Sequence, residues 1–204
     1  MSTDELFIAE VDFEEARLTA DLMSYFQDLA FTIDALDQLQ KLVDNNAKDN
    51  VLMGSLWIAA LISYARCFST GKRFALSEGL FENIEGGVEC HQLYINLRNK
   101  HIAHSVNPFE QVVVGLVLSP PSSSERKVEG ISILSQKLLH FTSEGIQNLR
   151  RLALIALKEV EKRGKEYQEK ALEVGKKIPI ATLYAKASPR TVTPGPEQAG
   201  KARK

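Results

Sequence analysis

The chain has 204 residues, with 25 Lys+Arg against 26 Asp+Glu and a hydrophobic fraction of 44%. This length suffices for one domain whose core needs neither disulfides nor a structural metal. The formal net charge of -1 excludes the strongly basic class of bulk nucleic-acid binders, so any RNA contact must be local. The acidic start MSTDELFIAE and the lack of any apolar run near roughly 18 residues predict a soluble, cytoplasmic protein without membrane association.

Helical periodicity marks the first part of the chain. Apolar side chains recur at intervals of three and four over about residues 10 to 44, which predicts a long first helix. A polar stretch then offers Asp49 or Asn50 as the N-cap of a second helix over about residues 51 to 69. Two helices joined by a short polar link are therefore expected.

The third predicted helix covers about residues 87 to 104. Its apolar positions Cys90, Tyr94 and Leu97 recur at helical spacing and predict one buried stripe. Pro108 prevents a simple continuation, because a proline pushes the residue before it toward extended geometry. The helix is therefore expected to end near residue 104.

The period changes after this helix. Two β-branched runs separated by a turn rich in Pro and Ser predict a β-hairpin over about residues 111 to 135. Thr142 or Ser143 can cap a final helix, which the apolar spacing extends to about residue 174. Residues 179–204 are rich in Pro, Gly and basic side chains and poor in large apolar ones, which predicts a mobile tail.

The densest cluster of reactive side chains is Arg98, Asn99, Lys100, His101 and His104, at the end of the third predicted helix. At about 100° per residue, His101 lies about 60° from Arg98 and about 60° from His104, so the three line one helix edge. An arginine can hold phosphate oxygens bidentately, and a histidine can transfer protons near neutral pH. These groups suit the cleavage of a phosphodiester without a metal.

The same cluster also has a structural interpretation. The helix macrodipole favours Lys, Arg and His near a helix C-terminus whether or not they have a function. His101 continues the stripe of Tyr94 and Leu97, which favours a structural role and leaves His104 as the functional histidine. His101 and His104 have the spacing of a shared metal site, but no Cys or carboxylate stands at a companion spacing. Neither a metal nor another cofactor is predicted.

The segment LRNKHIAHSVNPFE, residues 97–110, resembles the signature of the HEPN superfamily of helical bundles, in which an arginine is followed after four to six residues by a histidine. Arg98 and His104 have five residues between them, and Asn99 fills the polar place after the arginine. The segment NKHIAHS, residues 99–105, is most similar to the abortive-infection-like branch of this superfamily. The segment SYARCFSTGKR, residues 63–73, resembles the arginine-bearing second helix of those proteins.

The resemblance implies a mainly α fold, in which four or five antiparallel helices form a bundle over residues 1–178. The hairpin at about residues 111 to 135 is inserted before the last helix, and the tail at 179–204 follows. In this frame Arg98 is the ligand of the phosphate and the transition state, Asn99 an orienting group, and His104 the proton-transfer residue. Weaker candidates for substrate binding are Arg66, Lys100 and His101.

Arg66 has an open alternative, since an arginine beside a cysteine and a phenylalanine can also bridge helices or snorkel. Many members of the resembled superfamily are metal-independent ribonucleases of toxin, defence or RNA-processing systems in which two motifs face each other across a dimer. The resemblance therefore implies RNA or a nucleotide as substrate, a homodimer, and a cognate antitoxin as a further partner. The alternative is a non-catalytic nucleotide-binding, RNA-binding or oligomeric interaction module, which an acidic first helix and a basic last helix also allow.

Overall fold

The computed structural model describes residues 7–69, 71, 73–102, 110–137, 141–188 and 195–200. Only the backbone is described for His101, Glu110, Gln111, Gln136, Lys137 and Gln198. Five α-helices lie in these ranges: α1 (Glu14–Asp44), α2 (Asn50–Arg66), α3 (Gly87–Asn96), α4 (Ser143–Gly175) and α5 (Ile180–Lys186). The strands are β1 (Ile8–Ala9), β2 (Glu110–Leu118), β3 (Val128–Lys137) and β4 (Ala187–Ser188). The prediction of a mainly helical chain with a hairpin before the long helix α4 is confirmed.

Two of the helix starts depend on side-chain caps that the sequence predicted. The carboxylate of Asp49 accepts a hydrogen bond from the backbone N–H of Leu52 at 2.9 Å, which caps α2. The Thr142 hydroxyl oxygen accepts one from the N–H of Gly145 at 3.0 Å and caps α4 in the same way. None of the helices in the described ranges combines the length and the apolar character needed to cross a bilayer.

The chain divides into two compact units, Asp21–Lys162 and a second unit formed by Met1–Ala20 with Arg163–Lys204. In the second unit β1 pairs antiparallel with β4, so that Ile8 lies opposite Ser188. Secondary structure thus continues beyond residue 179, where the sequence predicted a mobile tail. Pro179 supplies a fixed φ of -54° just before α5, and β1 supplies the backbone partner for β4.

Within Asp21–Lys162, α1 and α2 pack antiparallel. The Thr32 hydroxyl of α1 donates a hydrogen bond to the carbonyl oxygen of Ala60 at 3.4 Å. Earlier on α1, Asp28 lies 3.3 Å from Arg66 at the end of α2. Because residues further along α2 meet residues earlier on α1, the two helices run in opposite directions.

Helix α4 also packs antiparallel to α1. Arg150 donates two hydrogen bonds to the carboxylate of Asp37, at 2.5 and 3.1 Å. The Gln40 side chain lies 3.4 Å from the hydroxyl of Ser143. The interior between these helices is filled by fully buried leucines, including Leu36 and Leu149. The stripes read from the sequence therefore face one common core.

The hairpin pairs β2 with β3 antiparallel. The register runs without a break from Glu110 opposite Lys137 to Val117 opposite Gly130. The next pair is Leu118 with Val128, so Glu129 is the extra residue of a β-bulge.

Candidate functional site

Helix α3 positions the candidate site, and its buried face differs from the predicted stripe. Tyr94 is buried as expected, but the face continues through His91 and Gly87. Cys90 and Leu97 are only half-buried. A side chain at Gly87 would meet the carbonyl oxygen of the preceding turn at 2.7 Å, so only glycine allows this close approach. The start of α3 therefore lies directly against the preceding turn.

His91 anchors α3 to α2 through a buried polar pair. Its Nδ1 atom and the hydroxyl of Tyr64 share a hydrogen bond of 2.8 Å. Its ring centroid lies 4.5 Å from that of Phe68 and 5.1 Å from that of Phe81. Burial lowers the pKa of His91 and raises the pKa of Tyr64, because both charged forms would lose hydration. The pair is therefore neutral near pH 7 and joins α3 to α2.

The other end of α3 is joined to α4. The hydroxyl of Tyr94 donates a hydrogen bond of 2.8 Å to the carbonyl oxygen of Gly145, in the first turn of α4. Its ring packs edge-on against Trp57 of α2, with centroids 6.1 Å apart. Helix α3 thus contacts two other helices just before the segment that carries the arginine.

The helix predicted over about residues 87 to 104 is α-helical only to Asn96, and residues 103 and 104 lie outside the described residues. After Asn96 the backbone adopts a π-helical turn over Leu97–Ile102, which we call the π turn. The angles of about 60° expected between Arg98 and His101 assumed α-helical geometry and do not apply here. π-Helical turns are rare and occur frequently at functional sites, so the backbone marks the same segment as the sequence motif.

Two of the predicted site residues touch each other on the π turn. The Nη1 atom of Arg98 donates a hydrogen bond of 2.9 Å to the side-chain oxygen of Asn99. Asn99 and Lys100 are exposed, and Arg98 is half-buried. Among the described residues, no carboxylate lies within ion-pair distance of Arg98. A guanidinium has five N–H donors, of which this hydrogen bond uses one.

The two histidines of the motif stand differently. Only the backbone of His101 is described, within the π turn. His104 lies outside the described residues. The proposed proton-transfer role of His104 therefore rests on the motif.

A cleft of about 430 Å³ opens beside the π turn. Glu78 and Gln92 are hydrogen-bonded to each other on one wall. Asn99 belongs to the same lining, so the cleft and the motif share a residue. The full lining is Phe68, Ser69, Leu76, Glu78, His91, Gln92, Ile95 and Asn99. Its volume lies within the range of about 300 to 1,000 Å³ that is usual for small-ligand sites.

Sequence reasoning missed the cleft residues Phe68, Glu78, His91 and Gln92. A usable signal existed for His91, because Gly87, His91 and Tyr94 follow the four-then-three spacing of a buried helical face. No comparable signal exists for Glu78, since it comes from a separate helical turn, Glu78–Phe81, whose position depends on tertiary packing.

Arg66, the weaker arginine candidate, has a partner within the chain. Its Nη1 atom lies 3.3 Å from Asp28, and Arg73 lies 3.4 Å from the other oxygen of the same carboxylate. This geometry corresponds to the alternative of a helix-bridging arginine. In the described structure, Arg66 joins α2 to α1 and Arg98 joins only its neighbour Asn99.

No protein-family model, no curated protein and no solved structure matches this chain. The residues and their geometry are therefore the basis for a function.

Proposed function

We propose that this chain is a HEPN-type, metal-independent endoribonuclease of a toxin or phage-defence system. The observation that carries the proposal is Arg98, hydrogen-bonded to Asn99 on an exposed π turn and without a described carboxylate partner. An arginine held in this way presents its remaining N–H donors to phosphate oxygens in a fixed plane. Asn99 orients the guanidinium by accepting one of its hydrogens.

The reaction we assign is attack by a ribose 2′-hydroxyl on the adjacent phosphate. A bond forms between O2′ and phosphorus while the bond from phosphorus to O5′ breaks, which yields a 2′,3′-cyclic phosphate and a 5′-hydroxyl. One proton leaves O2′ and one reaches O5′, and His104 is the group to which the motif assigns proton transfer. Arg98 neutralises the charge that grows on the phosphoryl oxygens. A second copy of the motif, across a homodimer, supplies the complementary acid or base.

The cleft beside the π turn suits a nucleobase next to the reacting phosphate. Phe68 offers an aromatic face, and unpaired RNA bases are commonly recognised by stacking on such faces. The amide groups of Gln92 and Asn99 can hydrogen-bond to base edges. Lys100 is exposed on the same turn and adds positive charge for the RNA backbone. This arrangement favours single-stranded RNA over a duplex, whose bases are already paired.

The test is cleavage of single-stranded RNA in EDTA by the purified full chain. We expect Arg98→Ala to lower the rate about 100- to 1,000-fold, as the loss of a transition-state donor does elsewhere. His104→Ala should be comparably inactive, and both variants should keep the wild-type melting temperature. Arg151→Ala is the matched control, because Arg151 is an exposed arginine on α4 away from the motif. It should cleave at the wild-type rate.

Several results would contradict the nuclease proposal. Cleavage that requires a divalent metal, or that survives Arg98→Ala unchanged, excludes the assigned chemistry. Products with 3′-hydroxyl ends would exclude attack by the 2′-hydroxyl. Binding of RNA or a nucleotide that depends on Arg98 but leads to no cleavage would instead support a non-catalytic module, which the cleft also favours.

A further inference from the structure

The two faces of the β2–β3 hairpin differ in composition. Residues directly opposite each other in an antiparallel pair point to the same side, and neighbours along a strand alternate. The register therefore collects seven large apolar side chains on one side, which we call the apolar face: Val112, Val114, Leu116, Leu118, Val128, Ile131 and Ile133. The opposite side is interrupted by Gly115, Gly130 and Ser132.

Within the residues that the structure describes, the side chains of the apolar face are largely exposed. Its central side chains are 63–69% exposed: Val112, Val114, Leu116, Ile131 and Ile133. Together the seven residues expose roughly 800 Å² of surface, whereas the largest apolar patch of a typical monomer is about 300–600 Å². A surface of this size and composition is characteristic of an interface.

Little charge interrupts this surface. Glu129, the extra residue of the bulge, is the one charged residue in 112–118 and 128–135, and Lys127 lies 4.0 Å from it. Exposed strands in monomeric proteins are usually protected by Lys, Pro or inward-pointing charges. Apart from Glu110 and Lys137 at the base of the hairpin, such groups occur only at or beside its distal turn, so residues 112–118 and 130–135 are open to association.

We propose that the apolar face packs against the same face of a second copy of this chain, forming a closed two-fold pair. The roughly 800 Å² available matches the approximately 800 Å² that each partner buries in a stable complex. An uncharged apolar surface is complementary to itself, and a two-fold contact buries the same patch on both copies. The proposed nuclease also requires two copies of the chain, so this proposal names a surface for that pair; Ile131→Lys tests the surface, whereas Arg98→Ala tests cleavage.

The charge at the distal turn favours this occupant over a lipid bilayer. Glu125, Arg126 and Lys127 lie at the tip of the hairpin. Insertion of the hairpin into hydrocarbon would carry these three charges into the bilayer, which is strongly unfavourable. Side-by-side packing of two hairpins leaves the same charges in water.

Sedimentation velocity of the full chain tests the proposal. We expect the wild type to have twice the monomer mass of 22.7 kDa at micromolar concentration. Ile131→Lys or Val114→Lys should raise the dissociation constant about 100-fold or more, because each buries an unpaired charge in the contact. Ser132→Lys is the matched control, since Ser132 lies beside Ile131 on the same strand but faces the other side. It should remain dimeric.

Far-ultraviolet circular dichroism of each variant measures its helical content, which we expect to be that of the wild type, so that a lost dimer is not confused with unfolding. A wild type that stays monomeric overturns the proposal. An equal effect of Ser132→Lys and Ile131→Lys also overturns it, because the face would then not matter. Flotation of a monomeric wild type with phosphatidylcholine–phosphatidylglycerol vesicles would identify lipid as the occupant instead. A mass that grows without limit as concentration rises would contradict a closed pair.

Discussion

The helical interior of Asp21–Lys162 and the β2–β3 hairpin are both rich in large apolar side chains. In the interior, leucines such as Leu61 and Leu149 are fully buried between helices. On the hairpin, Leu116 and Ile133 are mostly exposed. Among the described residues, the helices of this unit bury their apolar stripes against one another, and the hairpin leaves its apolar side chains exposed. Hydrophobic sequence alone does not distinguish a core from an interface.

Polar side chains differ in whether their described partner lies on another helix or next to them in the chain. His91 is paired with Tyr64 inside the helical interior, and Arg66 is paired with Asp28 at its surface. Arg98 has only its neighbour Asn99 among the described residues. His91 and Arg66 thus join helices to each other, whereas the described contact of Arg98 stays within the π turn.

The largest expected effect comes from making the same substitution in both regions. Leu149→Ala should lower the free energy of unfolding by about 2–5 kcal/mol, because it leaves a cavity among packed helices. Leu116→Ala should lower it by less than about 1 kcal/mol, because its side chain is already in water. Urea denaturation at low protein concentration measures both, since association then contributes least.

Similar losses for the two leucines would break the comparison, because Leu116 would then be packed against the helices. A loss of unfolding free energy for Leu116→Ala that appears only at high protein concentration would strengthen the distinction between the two regions. Such a result means that the residue is stabilised by a second molecule.

The sequence predicted what local rules control. The caps at Asp49 and Thr142 follow from side-chain chemistry one turn from the helix start. The hairpin follows from the change of period and the turn residues between its strands. These features depend on neighbours in the chain, which a single sequence contains.

Features that depend on tertiary packing were not predictable in the same way. The π turn was not predicted, because the angle between Arg98 and His101 was calculated for an α-helix with 3.6 residues per turn. The sequence of residues 97–102 contains no signal that specifies a wider turn. The cleft beside Asn99 includes Glu78 and Phe68, which only folding brings together. The segment of α5 was assigned to a mobile tail because residues 179–204 are rich in Pro, Gly and basic side chains and poor in large apolar ones, and the pairing of β4 with β1 joins residues far apart in the chain.

A smaller effect is expected from acid, through the buried His91. Burial lowers its pKa below the ordinary 6.5, and the negative charge of Glu78 only partly opposes this. The unfolded chain therefore binds a proton near pH 6.5 that the folded chain binds only at lower pH. The resulting stability is full above pH 6.5 and is lost as pH falls through the folded pKa.

His91→Gln isolates this contribution, because the amide can accept the Tyr64 hydrogen bond but does not titrate. The wild type should lose stability relative to the variant as pH falls below about 6.5, and the difference should be constant above that pH. All other histidines and carboxylates are common to both proteins, so they cancel in the difference of unfolding free energies. A difference that stays constant with pH would mean that His91 is not held neutral by burial.

The smallest effect is expected at Arg66, the arginine that has a partner within the chain. Its side chain is 51% exposed, so Arg66→Ala should lower the free energy of unfolding by only about 0.2–1 kcal/mol. Arg73 still neutralises Asp28 after the substitution, which limits the loss further. RNA cleavage should continue at the wild-type rate, unlike that of Arg98→Ala. If instead cleavage collapsed while stability held, Arg66 would contact substrate, and possession of an internal partner would no longer separate residues of the fold from residues of the site.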